Sequence, residues 1–337
     1  MHNPILSTCI PCYKRIQYVR NTLRSIYKEN SDVPLSDYEV VISDNDSDHE
    51  VKQLLSEFRY DNLFYYATDC EGFTNSYHVL TYGRGSLLKL HNSQVLFRKG
   101  TLRFLIEEAK YSLHNKPLIF YTNGFLYKNK SESFNSFDSF FKGLNYWPSW
   151  SNGFSIWKED FEKIGEVSLD LLFPHTSLFI TQHNKQSYVI NDNYLFETQR
   201  VKGRSGHNKF EAFTIHFPAL IDVCYKKGWI TKRTKIDIFN DMLKVFLPIL
   251  LFNKYIARVE RFDITGYRTN IKKYFPRHAF AVSILFITLF PIRLIMRRVN
   301  LLIAENQPII TLRGEVIQND VIILFKNAEL LEERRAA

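Results

Sequence analysis

The first 125 or so residues alternate between short apolar runs and segments whose apolar residues recur every three or four positions. Pro4–Ile10, Tyr38–Ser43, Leu63–Ala67, Leu87–Leu90 and Leu118–Tyr121 read as strands. Between them, Ile16–Tyr27 sets Val19, Leu23, Ile26 and Tyr27 on one helical face, and His49–Phe58 does the same with Val51, Leu54, Leu55 and Phe58. Phe73–Tyr82 and Gly100–Leu113 complete the predicted helices. This alternation predicts an α/β fold, a parallel sheet with helices on both faces. Ligands of such sheets bind at the carboxyl ends of the strands, so chemistry is expected in the loops after Ile10, Ser43 and Leu90. Further on the pattern loosens. Lys128–Asp138 is polar and predicts a flexible connection, Asn152–Lys163 returns to order, and His175–Gln186 predicts another helix. From Ile236 the segments are long, apolar and basic.

Charge changes the picture once it is located. The net charge is +9, yet residues 1–215 hold 24 Lys+Arg against 24 Asp+Glu. Residues 216–302 hold 16 basic and 5 acidic residues, and residues 303–337 hold 4 and 6. The surplus therefore lies in one segment, which suits either nucleic acid or an anionic membrane. Its apolar content decides between them. Lys272-Lys273-Tyr274-Phe275-Pro276-Arg277 leads into His278–Ile292, which lacks Asp, Glu, Lys and Arg, and Arg293, Arg297 and Arg298 follow. That run is short of the roughly 20 residues of a spanning helix and is interrupted by Pro291. An interfacial helix on anionic lipid is expected, with a buried core helix as the alternative; no nucleic-acid motif is present. Four cysteines (Cys9, Cys12, Cys70, Cys224) make no disulfide framework, and no signal peptide precedes the first strand, so a reduced, cytoplasmic setting is expected.

Two local patterns lose to simpler explanations. Cys9-Ile-Pro-Cys12 has redox spacing, but Cys9 lies inside an apolar strand and not at an exposed helix start. Asp44-x-Asp46-x-Asp48 opens like a calcium loop, but His49 and Leu55 stand where that loop needs Gly and Glu. A carboxylate burst at a strand end is instead placed to accept hydrogen bonds from a base or ribose.

Leu6-Ser7-Thr8-Cys9-Ile10-Pro11-Cys12-Tyr13-Lys14-Arg15 resembles the opening strand of family-2 glycosyltransferases, S-x-x-I-P-x-Y-x-R. Val40-Val41-Ile42-Ser43-Asp44-Asn45-Asp46-Ser47-Asp48 is similar to that family's second strand, and Gly72-Phe73-Thr74-Asn75 to its Gly…Asn element. The resemblance spans about residues 4–200. It implies a Rossmann-like GT-A nucleotide-sugar fold and transfer of a sugar from a nucleotide diphosphate sugar to an acceptor hydroxyl, with inversion. The relatives it suggests build bacterial O-antigen or capsule repeats on lipid-linked acceptors, which implies a peripheral place on the inner face of the cytoplasmic membrane. Pro11, Tyr13 and Arg15 would line the nucleotide pocket, Asp44 would bind the base, and Asn45, Ser47 and Asn75 would assist.

The sequence departs from the family where the fourth strand ends. The usual L-N-S-D-D, whose aspartate holds a divalent cation, is here Leu90-His91-Asn92-Ser93-Gln94-Val95. No carboxylate remains for Mg²⁺ or Mn²⁺. The expectation is an enzyme without a metal cofactor, the alternative a catalytically inactive nucleotide-sugar-binding subunit. Lys89 and His91, with Arg204 or His207 from the glycine-punctuated loop Arg200–His207, would supply positive charge to the diphosphate, and Asn92 would be a further donor-binding residue. The family's acidic pair on the acceptor side is replaced by His175-Thr176, so His175 is the expected general base, with Asp170 the alternative. The expected organisation is a glycosyltransferase domain over residues 1–215, a basic, apolar helical membrane-docking segment over 216–302, and a tail over 303–337 whose origin the sequence leaves open.

Overall fold

The computed structural model describes residues 3–199, 207–258 and 261–305, with 309–310, 315–318 and 321–324. Strand β1 (Leu6–Cys12) leads into α1 (Ile16–Tyr27), and β2 (Tyr38–Asp44) into a 3-10 turn and α2 (Leu54–Glu57). Strand β3 (Leu63–Ala67) leads into α3 (Asn75–Tyr82), and β4 (Leu87–Leu90) into β5 (Val95–Phe97) and α4 (Thr101–Ser112). Next come β6 (Leu118–Tyr121), β7 (Ser131–Phe134), α5 (Phe137–Leu144), β8 (Ser155–Trp157), α6 (Lys158–Glu162), α7 (Pro174–Thr181), β9 (Tyr188–Asn191) and β10 (Phe196–Thr198). Helices follow: α8 (Lys209–Glu211), α9 (Phe217–Lys226), α10 (Lys232–Asp241), α11 (Leu247–Tyr255), α12 (Tyr267–Asn270), α13 (Ala279–Leu285) and α14 (Phe290–Glu305). Strands β11 (Ile309–Ile310), β12 (Glu315–Gln318) and β13 (Val321–Leu324) pair with one another.

The main sheet has the order β3-β2-β1-β4-β8, with the first four strands parallel and β8 antiparallel. Its strands are apolar on both faces because both faces are covered. Leu6, Ile10, Val40 and Ile42 pack with α1 and α4, while Cys9, Val41, Leu88 and Leu90 face a second, aromatic-rich core. The period-two alternation of a strand sends neighbouring residues to opposite faces. One buried charge in the sheet is compensated: Glu39 accepts from the Ser7 hydroxyl at 2.6 Å and meets the Arg84 guanidinium at 2.8 Å.

The structure corrects several expectations. β6 does not extend the main sheet; it belongs to a separate sheet of order β6-β9-β7, touching the main one through a bridge from Phe120 to Phe154. Lys128–Asp138 is no plain connection, since Ser131–Phe134 forms β7 against β9. Helix α7 ends at Thr181, not near Gln186.

The boundary at residue 215 is also displaced. Residues 209–226 form one helical run, and Phe210, Phe213, Phe217, Ile221, Ile238, Met242, Leu247, Leu251, Ile271 and Phe275 share a core with Val41 and Leu90. The first part of the basic segment is thus interior to the domain. Two π-turns interrupt these helices, Ala212–His216 and Met242–Phe246. Each lies just before a proline, Pro218 or Pro248. Proline lacks an N–H and crowds the preceding turn, and a locally widened helix relieves both problems.

The longest exposed apolar stretch of the segment lies at its end. Helical structure runs through Pro291, at the start of α14, so Ala279–Asn300 is long and apolar enough to cross a membrane by length and composition. The expected limit at Ile292 was too short. Leu285, Leu289, Ile292, Met296, Val299 and Ile303 are all exposed along it.

Candidate active site

The topology turns at β1 and β4, whose following loops diverge, and such a switch point opens a crevice at the carboxyl edge. The β1–α1 loop carries Tyr13, Lys14 and Arg15, all exposed. Lys14 and Arg15 both have positive φ, 56° and 66°. Two successive left-handed residues other than glycine are strained, and the loop is held there by its surroundings.

Asn75 supplies much of that hold. Its buried Nδ2 donates to the Cys12 carbonyl at 3.2 Å, the Ser43 carbonyl at 2.9 Å and Asn45 Oδ1 at 3.1 Å. Its Oδ1 accepts from the Ser43 hydroxyl at 2.5 Å. Asn45 in turn donates to the carbonyls of Cys70 and Gly72. Asn75 and Asn45 therefore tie the ends of β1, β2 and the loop before α3 together. They position the crevice; the sequence reading had placed them as donor ligands.

Asp44 is likewise engaged within the protein. Its carboxylate is fully buried, Oδ1 accepts from the Asp46 N–H at 3.1 Å, and Oδ2 accepts from the Tyr65 hydroxyl at 3.0 Å. The carboxylate with open capacity is Asp46, which the sequence reading passed over. It is 2% exposed, neither oxygen has a hydrogen-bond partner, and Lys14 Nζ from the facing loop lies 3.9 Å from Oδ1. Ser47 is exposed beside it and Pro11 half-buried. Only the fold, by pairing Asp44 with Tyr65, separates the two aspartates.

The end of β4 does not present cations. Lys89 is fully buried, its ammonium donating to the carbonyls of Leu90 and Asn152 and lying 5.0 Å from the Tyr121 ring and 5.2 Å from the Phe196 ring. Burial pulls its pKa down to about 7. His91 is also fully buried, Nε2 lies 2.7 Å from the Val95 carbonyl, and burial together with nearby Lys89 pulls its pKa down to about 3. It is neutral. Asn92 is occupied, its N–H by Asn152 Oδ1 and its Oδ1 by the Ser151 hydroxyl. The assigned diphosphate-binding roles of Lys89 and His91 are therefore corrected: apolar run and spacing place both inside.

These residues do not fit a divalent cation either. A neutral histidine, two amides and a serine offer no anionic oxygen, and among the described residues no three His, Cys, Asp or Glu side chains cluster to hold a metal. Of the late basic loop, Arg204 lies outside the described residues. Gln199 and His207 flank that segment. The Gln199 N–H donates to the Gln94 carbonyl, and the His207 ring packs edge-on against Phe73 at 4.9 Å.

On the acceptor side, α7 is fastened to the β4 end. Thr176 donates to the Pro148 carbonyl and His175 hydrogen-bonds the Ser149 backbone, in the loop that carries Ser151 and Asn152. His175 itself is buried, with Nε2 unpartnered, and burial pulls its pKa down to about 4. The expected general base is thus a buried, neutral side chain. Asp170 stays near the surface: Oδ1 accepts from the Leu172 and Phe173 N–H groups at 2.9 and 3.0 Å, and Oδ2 lies 2.9 Å from Nδ1 of His216. His216 was missed because 46 residues separate it from Asp170.

A largely parallel sheet whose strand order reverses between β1 and β4 is the architecture of a doubly wound α/β domain. Residues 7–146 match the family described as glycosyl transferase family 2. Among solved structures, S. aureus TarS 1–349 superposes with TM-score 0.54 at 13% identity, covering 96% of this chain and 97% of that one. The same protein in complex with UDP-GlcNAc gives 0.55, also at 13% identity with 96% and 97% coverage. The mannosyltransferase PcManGT from Pyrobaculum calidifontis, in complex with GDP-Man and Mn²⁺, gives 0.50 at 13% identity, covering 85% and 88%. No curated protein sequence matches the chain. Residues 7–146 are thus a family-2 glycosyltransferase domain within a GT-A fold, and the protein is a glycosyltransferase.

The buried His175 predicts a pH effect on stability. Its folded pKa is below the unfolded value of ~6.5, so as pH falls from there towards 4 the unfolded state takes up a proton that the folded state refuses. Stability is lost across that window, by at most about 3 kcal/mol for this residue. His91 acts in the same direction, whereas Glu108, pushed up to about 7 by burial, acts in the opposite one. Comparing His175→Gln with wild type isolates the contribution. The urea midpoint of the variant should fall less between pH 7 and pH 5.

Proposed function

We propose that this glycosyltransferase takes its sugar from a nucleoside diphosphate donor and transfers it, with inversion and without a metal ion, to a hydroxyl of a lipid-linked O-antigen or capsule oligosaccharide. The observation that carries the donor reading is the Asp46 carboxylate, buried between two loops with both oxygens unpartnered. Leaving such a group unpaired costs stability, and a base or ribose N–H or O–H would satisfy it. The likeness to folds solved with UDP-GlcNAc and GDP-Man supports the same donor class. Tyr13 offers an exposed ring to the nucleotide, and Lys14 and Arg15 supply charge for the diphosphate. With no carboxylate at the end of β4, fixed cations take the place of a metal.

The membrane reading rests on the helix from Ala279. Its exposed residues Leu285, Leu289, Ile292, Met296, Val299 and Ile303 recur at intervals of four and three, which forms one apolar stripe. Arg293 and Arg297 turn back to the protein, onto the Lys244 carbonyl and the Phe125 ring. A basic segment with such a stripe suits a peripheral helix on the anionic inner face of a bacterial cytoplasmic membrane.

Three measurements test this reading. By calorimetry with UDP, GDP and their sugars, Asp46→Ala should weaken nucleotide binding about 10- to 100-fold with little change in Tm, since it removes a buried carboxylate that has no hydrogen-bond partner and only a long ion pair to Lys14. Unchanged affinity would remove Asp46 from the site.

Donor turnover should persist in excess EDTA. Loss on chelation with recovery in Mn²⁺ or Mg²⁺ would refute metal-free transfer, while binding with no turnover under any condition would favour the inactive subunit.

Flotation with vesicles of anionic lipid should capture the protein, and Ile292→Glu with Met296→Glu should abolish capture. Equal flotation by the variant excludes the stripe as the membrane contact.

A further inference from the structure

We infer that His216 is the group that takes the proton from the acceptor hydroxyl, with Asp170 as its positioning residue. The inference deepens the glycosyltransferase reading and rests on it.

The Asp170 carboxylate is fixed at three points. Its Oδ1 accepts two backbone N–H groups at the turn into α7, and Oδ2 faces His216 Nδ1 at 2.9 Å. The Asp170 N–H donates to the Ser177 hydroxyl, which itself donates to the Phe173 carbonyl. A carboxylate held in this way fixes both the orientation and the tautomer of its imidazole. Nδ1 carries the hydrogen, and Nε2 is left as the acceptor. The His216 side chain is 32% exposed, in contrast to His175, so a substrate can reach it.

Two further observations place this pair at the site. Thr176 at the start of α7 donates to the Pro148 carbonyl, and Ser151 in the same loop donates to Asn92 after β4, so the helix that Asp170 leads into is tied to the carboxyl edge of the sheet. His216 also ends the π-turn Ala212–His216. The widened turn shifts the phase of the helix between Phe213, which packs on Phe173, and Phe217, which does the same from the next turn. His216 is thereby directed at Asp170 while both phenylalanines stay in the core. π-turns of this kind occur frequently at functional sites.

The step balances without a further reactant. The acceptor oxygen attacks the anomeric carbon as its proton passes to His216 Nε2. The bond from that carbon to the β-phosphate oxygen breaks, and its electron pair leaves with the nucleoside diphosphate. The imidazolium formed is stabilised by the Asp170 carboxylate and returns its proton to water after release.

Water can stand in for the unidentified acceptor, so the assay follows nucleoside diphosphate released from UDP-GlcNAc, UDP-glucose and GDP-mannose by the full-length protein. His216→Ala should lower kcat by ~10²–10⁴-fold with donor affinity changed less than about threefold, and added imidazole should restore part of the rate. His216→Gln keeps a donor towards Asp170 but cannot take up a proton, and should be as slow if the alanine variant folds poorly. Asp170→Asn retains an oxygen for the Leu172 and Phe173 N–H groups but turns an amide N–H towards His216. That forces the hydrogen onto Nε2, so kcat should fall without rescue by imidazole. Near-wild-type kcat in both His216 variants, or rescue of Asp170→Asn by imidazole, overturns the assignment. Wild-type protein that binds a donor but releases no nucleoside diphosphate overturns it in favour of a binding subunit. Failure to bind any of the three donors refutes the donor reading itself.

Discussion

The amide of Asn75 is the constraint from which the rest of the crevice follows. At the last paired residues of β1 and β2 the carbonyl oxygens of Cys12 and Ser43 each have room for a second hydrogen bond, and the Cys12 carbonyl already takes the Asn45 N–H at 3.3 Å. Asn75 donates to both carbonyls, and through Asn45 it reaches the loop before α3 as well. Because Asn75 is the first residue of α3, the same bonds fix that helix against the sheet edge. With the two loops held at a set separation, Tyr65 and the Asp46 N–H engage both oxygens of Asp44, and Asp46 is left without a hydrogen bond, facing only Lys14 at 3.9 Å. One side chain thus decides which carboxylate is structural and which is open.

The same logic explains what the sequence could and could not reveal. The β1–β4 strands were legible because each is a short apolar run buried on both faces, and the loops at their ends followed from that. What a side chain at those ends does depends on its partners. Lys89 is one step before the strand's end, and the pleat sends it inwards, where Leu90, Asn152 and two rings enclose it. A lysine in a loop two residues later would read identically by composition. His175 shows the same dependence: the motif position is matched, but the side chain is buried on α7 and burial holds it neutral. His216 carries no local signature at all, since its meaning comes only from Asp170.

The C-terminal half shows the limit of charge as a guide. Sixteen basic residues between 216 and 302 suggested a separate docking segment. Long cationic side chains can cover apolar helices while their heads stay in water, so a basic helix can still be a core helix. Phe217, Ile221, Ile238, Met242 and Leu251 are buried within that segment, and the long run of exposed apolar residues begins only after Ala279. Periodicity was the better signal, because the π-turns before Pro218 and Pro248 preserve the inward face across each proline.

The proposed inverting displacement imposes a geometric demand on where the charges serving it must lie. The leaving diphosphate and the attacking oxygen must approach the anomeric carbon from opposite sides, so the charges serving them have to come from different elements. Lys14 and Arg15 belong to the β1–α1 loop, on the nucleotide side with Asp46, while Asp170 and His216 belong to the α7–α9 side. An imidazolium next to the leaving group would compete with those cations, and a carboxylate there would repel the departing charge. Asp170 is kept from that conflict by its two backbone N–H bonds, which hold it at the entrance of α7. In the proposed reaction the proton and the diphosphate therefore leave the sugar by separate routes, each lined by charge of the opposite sign.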